Sequence, residues 1–221
     1  MNRFALVYLF LSVLFLAGFL FFSIYNYKNR FKMTYDLRNH FPYELNFESK
    51  FKDNLFGNVC ISVSTVLSIL FFIFFDETHL NGFLLFAMIA GIVNSLIILS
   101  LVFVPLKLLK AHLILVTVNI ALSFLVPFSL AMAASFSYSS YKEVGQLVFI
   151  ILPALICIFI FILIMNPKLT KWALLDKKTN PDGSVSYVRP KIFILAFTEW
   201  LLFFSSVITE IIALLIPLFI K

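Results

Sequence analysis

The residues whose types and spacing could do chemistry lie in the last apolar stretch of the chain. It reads FTEWLLFFSSVITEII, two glutamates and four hydroxyls set among Leu, Ile, Phe and Val. On a helix turning about 100° per residue, with Thr198 at zero, Thr209 falls near 20°, Ser206 near 80°, Glu199 near 100° and Glu210 near 120°. Ser205 falls near 340°, so on the same geometry all six polar groups share an arc of about 140°. Carboxylates and hydroxyls on one face of an apolar helix offer oxygen ligands and negative charge. That is the chemistry of binding a cation or a proton. Depth sharpens the point, because at about 1.5 Å per residue each glutamate lies less than roughly 10 Å from the segment's midpoint at Ser205 and Ser206. Facing lipid there costs a charged group at least about 2.5 kcal/mol. The stripe must therefore face other helices, a water-filled cavity or a partner subunit.

Residues that could meet it lie in earlier apolar segments. Asn94 shares a face with Ala87 and Gly91, a small-residue spacing that lets helices approach closely. Asn119, Ser123 and His112 fall on one side of the following segment, and Ser64, Thr65 and Ser68 lie in the second. The polar path drawn from these positions comprises Glu199, Glu210, Thr198, Ser206, Thr209, Asn94 and Asn119. The plainer role for the amides and hydroxyls is to hold helices together, at about 0.6 kcal/mol per interhelical bond. His112, beside Lys110, reads as an ordinary histidine at the membrane edge. Pro127 and Pro153 lie well inside their segments, where each frees a backbone carbonyl and can act as a hinge or an oxygen ligand.

The elements that must position these residues follow from composition. The chain has 221 residues, 62% of them hydrophobic, 13% charged and 29 of them Phe. Soluble domains carry roughly 25% charged residues. The sequence predicts an all-α, polytopic integral membrane protein forming a single transmembrane domain over residues 1–221. Six helices are drawn at 4–25, 55–75, 82–104, 113–134, 147–165 and 192–220, each long enough to span about 30 Å of hydrocarbon. The first apolar run is too long for a signal peptide and lacks an A-x-A-like cleavage site, so it is read as a helix. Phe47, Phe51 and Leu55 recur every four residues and predict a short amphipathic helix on the cytoplasmic face before the second span. Asn180-Pro181-Asp182-Gly183 followed by SVSYV predicts a small hairpin before the last span.

Fourteen of the seventeen Lys and Arg residues fall in the connections after the first, third and fifth spans. The positive-inside rule then places the odd-numbered loops in the cytoplasm and both termini outside. The net charge of +6 is accounted for by residues anchoring helix ends to anionic headgroups, and calls for no nucleic-acid partner. Cys60 and Cys157 both lie in apolar segments and read as buried thiols.

No Walker-type loop, G-x-S-x-G or metal-spaced His/Glu/Cys cluster occurs, so the sequence gives no reason to propose catalysis, a cofactor or a bound metal. Size and helix count resemble the membrane subunits of small transporters and the permease components of ABC exporters, a likeness of architecture carried by no motif. The leading expectation is a membrane-embedded component of a transport system, permease or channel-like. Its partners would be the bilayer, other membrane subunits or a cytosolic energising protein. The rival is a structural or assembly subunit of a larger membrane complex, which would carry the stripe on an outer face. A membrane enzyme has the least support.

Overall fold

The computed structural model describes residues 3–42, 45, 51–75, 82–104, 108–141, 144–166, 176–181, 184–188 and 190–216. Six of its helices are long and apolar enough to cross a membrane: α1 (Arg3–Phe31), α2 (Leu55–Phe74), α3 (Gly82–Phe103), α4 (Leu109–Tyr141), α5 (Val144–Ile164) and α6 (Ile194–Leu215). The chain is thus a helical, multi-pass membrane protein. Each helix packs on the next, and α6 returns against α1, α4 and α5. Outward faces of α1 and α5 present Phe10, Phe21, Ile158 and Ile162, as a surface solvated by lipid chains requires.

Three helices outrun the spans drawn from hydropathy, α5 only by its start at Val144. α1 continues past Tyr25 to Phe31, and α4 starts before Leu113 and continues past Ala134 to Tyr141. An apolar window marks only the part suited to hydrocarbon, whereas backbone hydrogen bonding continues through the interface until something stops it. At the end of α1 the stop is Lys32, with φ 55°. Its amide donates to the Lys28 carbonyl at 2.9 Å, the left-handed cap that glycine usually supplies.

The amphipathic helix expected around Phe47, Phe51 and Leu55 falls largely outside the described residues. What is described is a 3-10 turn, Phe51–Asn54, running into α2, whose first residue is Leu55. The hairpin pairs β1 (Asp176–Thr179) with β2 (Val185–Val188), Thr179 opposite Val185 and Asp176 opposite Val188. Asn180 closes it by donating its amide to the Ser184 carbonyl at 2.8 Å; Asp182 and Gly183 lie outside the described residues.

The connections before α2 and before α6 meet at one end of the bundle. Asn39 Nδ2 donates to the Pro190 carbonyl at 2.9 Å, and the Phe193 amide donates to the Arg38 carbonyl at 2.8 Å. The indole Nε1 of Trp200 reaches the His40 carbonyl at 2.8 Å. Together these fix where α6 enters.

Inside, the bundle is tiered. Near this end Leu16, Phe19, Ile61, Leu101, Val116 and Trp200 form one apolar cluster. Toward the other end Leu9, Phe71, Phe72, Ala87, Ala90, Val126, Leu130 and Ile212 form a second. Buried polar residues fall between the clusters on five helices: Ser12 on α1, Ser64, Thr65 and Ser68 on α2, Asn94 and Ser95 on α3, Ser123 on α4, and Ser205, Thr209 and Glu210 on α6. Because neighbouring helices run in alternate directions, positions unrelated in sequence arrive at one level.

Candidate functional site

The α6 stripe is turned inward. Thr198, Glu199, Ser205, Thr209 and Glu210 are all buried, and Ser206 is half-buried. Its hydroxyls are satisfied locally: Ser205 and Ser206 donate to the Leu202 carbonyl at 2.8 and 3.1 Å, and Thr209 donates to the Ser205 carbonyl at 2.8 Å. Such back-bonding lets a hydroxyl sit in an apolar helix without an outside partner. It also commits the only hydroxyl proton, leaving oxygen lone pairs for whatever the stripe faces.

Glu210 is joined to the polar layer by hydroxyls. Ser68 donates to its Oε1, and Ser68 and Ser95 lie 2.9 Å apart, oxygen to oxygen. Ser95 also has the Gly91 carbonyl at 3.0 Å. Proton counting shows what this chain tolerates. With the carboxylate ionised, Ser68 spends its proton on Glu210, and Ser95 has one proton for either Ser68 or Gly91. With the carboxyl protonated, the order can reverse, from Glu210 to Ser68 to Ser95 to Gly91, with every acceptor met. The same heavy atoms therefore accommodate both states.

Beside Glu210 is a cavity of about 10 Å³, close to the least volume that holds one water molecule. Gly91 and Asn94 of α3, Ser123 of α4, and Ser206, Thr209 and Glu210 of α6 line it, with Phe72 and Val126 as apolar walls. Asn119 supports Asn94, its Nδ2 donating to Asn94 Oδ1 at 2.8 Å. Ser123 Oγ is buried without a hydrogen-bond partner among the described residues. Four residues on, Pro127 has no amide to give the Ser123 carbonyl, so the helix leaves both oxygens of Ser123 without their usual partner at this level.

Glu199 belongs to a separate place. Eleven residues from Glu210, it lies about 16 Å away along the helix, beyond the Trp200 cluster. There its Oε1 is 3.7 Å from His112 Nε2, with both side chains buried. Neither ring nitrogen of His112 has a hydrogen-bond partner among the described residues. The expected edge histidine is thus in the first turn of α4 but 2% exposed, turned into the bundle toward a carboxyl.

Of the positions drawn from the sequence, the structure gathers Ser206, Thr209, Glu210 and Asn94 around one cavity and attaches Asn119 through Asn94. It places Glu199 with His112 and leaves Thr198 buried near them on the same turn. Ser95 escaped sequence reasoning, since one hydroxyl in an apolar run is unremarkable. Pro127 and Pro153 lie within continuous helices. Cys60 and Cys157 are unpaired thiols.

Among the described residues no three His, Cys, Asp or Glu side chains come together. The polar lining of the cavity consists of hydroxyl and amide groups and one carboxylate. Comparison with family models, curated proteins and solved structures finds no match for the chain.

Proposed function

We propose that this chain is a membrane-embedded component of a transport system, permease or channel-like, in which the α6 stripe lines or gates a polar path. The observation that carries the reading is the inward burial of the stripe. Glu210, Thr209 and Ser206 face a cavity shared with Asn94 and Ser123 inside the chain's own bundle, where an assembly subunit would present them outward to a neighbour. Glu199 with His112 and Glu210 with Ser68 serve as two stations, toward the loop-bearing end and in the polar layer. The odd-numbered loops are on the cytoplasmic side in this reading. There the paired connections before α2 and α6 provide the surface for an energising partner.

The test is flux through proteoliposomes holding the purified chain, with an entrapped pH dye reporting protons and ²²Na⁺ reporting cations. Protein-dependent flux is expected, falling at least tenfold in Glu199→Gln and Glu210→Gln variants that remain monodisperse. Normal flux in both variants would falsify the mechanism. Absence of flux, with stoichiometric partners copurifying from the native membrane in mild detergent, would move the assignment to an assembly subunit.

A further inference from the structure

We propose that the cavity between α3, α4 and α6 is a binding site for one dehydrated alkali-metal cation. Size is the first argument. About 10 Å³ is room for one water-sized body, which matches a dehydrated alkali-metal ion.

Lining chemistry is the second. Thr209 and Ser206 have spent their protons on helix carbonyls, so their oxygens can only accept. Ser123, 4% exposed and with its Oγ lacking a hydrogen-bond partner among the described residues, lines the same space, as does Glu210. Hydroxyl and carboxylate oxygens are hard ligands suited to hard cations.

Charge is the third. When ionised, Glu210 supplies a single negative charge, and the Lys, Arg and His ion pairs found among the described residues lie elsewhere. A buried charge needs a counter-charge, and one carboxylate balances a monovalent ion. Mg²⁺ holds its waters too tightly to enter such a cavity, and Ca²⁺ takes six to eight oxygens. The site deepens the transport reading but is tested apart from it, because binding and flux are separate measurements.

The experiment is equilibrium binding of ²²Na⁺ to the full chain in lipid nanodiscs by scintillation proximity, with choline chloride holding ionic strength constant. Saturable binding is expected, displaced by unlabelled Na⁺ and not by choline. Glu210→Gln should abolish it. Ser123→Ala and Thr209→Val, each removing one oxygen, should weaken it by about tenfold, the equivalent of about 1.4 kcal/mol. Ser12→Ala, which removes a hydroxyl from the α1–α2 contact with Ser64, should leave it unchanged.

No saturable signal from folded wild-type protein, displacement by choline, or binding that survives Glu210→Gln would each overturn the site. Should Glu210→Gln fail to fold, undiminished binding in Ser123→Ala and Thr209→Val decides against it. Saturable binding without any flux keeps the site and removes the transport reading. Flux without Na⁺ binding does the reverse.

Discussion

Gly91→Ala probes the packing that shapes the cavity. A Cβ on Gly91 would run into the Phe72 ring. That ring is 3% exposed and held on its other sides by Phe71 and Phe75, with centroids 5.1 and 6.0 Å away. It therefore cannot retreat into its own cluster. Forcing one methyl into a packed site costs about 1–3 kcal/mol. The direction left open is the cavity that Phe72 and Gly91 both line, so the same substitution should fill it. Equilibrium unfolding in bicelles measures the first effect, and a double-mutant cycle with Phe72→Leu assigns it to this contact. Shortening the ring should offset the alanine, with a coupling of at least about 0.5 kcal/mol. A neutral Gly91→Ala, or losses that simply add in the double variant, would refute the argument that ring and glycine occupy one space.

Other perturbations test the remaining features. His112→Leu puts an apolar side chain in place of the imidazole 3.7 Å from the Glu199 carboxyl and should cost about 1–3 kcal/mol, whereas pairing it with Glu199→Leu should recover part of the loss; additive losses on unfolding would mean that the two groups do not interact. Lys32→Gly relieves a left-handed residue at the end of α1 and should stabilise by about 1 kcal/mol in a thermal melt, while a loss would show that the lysine side chain matters more than its backbone. The Asp36 carboxyl is held below its ordinary value of 3.8, chiefly by the hydrogen bond from the Arg38 side chain and then by that from its amide. A lowered acid contributes order above its unfolded value and loses it as pH falls through the folded one. Asp36→Asn should therefore loosen the 35–41 loop at neutral pH, read through Trp200 fluorescence in a Trp172→Phe background. That difference should vanish well below pH 3.8, and one that persists would exclude the ion pair as its cause.

The membrane class and the polar face of α6 were legible because both follow from one helix at a time, whereas the turn of that face toward the chain's own bundle rather than a partner was not. Hydropathy over about twenty residues finds a span, and 100° per residue finds a face. Helix ends were less legible, since what stopped α1 was the backbone conformation of Lys32 rather than a Gly or Pro. The tertiary site was legible only in its parts. Asn94, Ser123 and Thr209 each look like an ordinary interhelical hydroxyl or amide. What distinguishes them is arriving at one depth, which depends on how far α3, α4 and α6 slide along each other.

That register has a physical origin in the tiers. On α2 the order is Ile61, then Ser64 to Ser68, then Phe71; on α3, read in the opposite direction, it is Leu101, then Ser95 and Asn94, then Ala90. Sliding one helix by a single turn, about 5.4 Å, would set hydroxyls and amides against the phenylalanines of the far cluster. Unpartnered polar groups would then be buried. In a solvent where lipid tails are as apolar as leucine, apolar burial cannot select the register, and packing together with interhelical hydrogen bonds must do so. The polar layer thus aligns the helices, and that alignment brings Ser123, Thr209 and Glu210 to one cavity. The residues that hold the bundle in register and those that would bind an ion belong to the same layer. Substitutions there should change stability and binding together, whereas Ser12, in the layer but away from the cavity, should change stability alone.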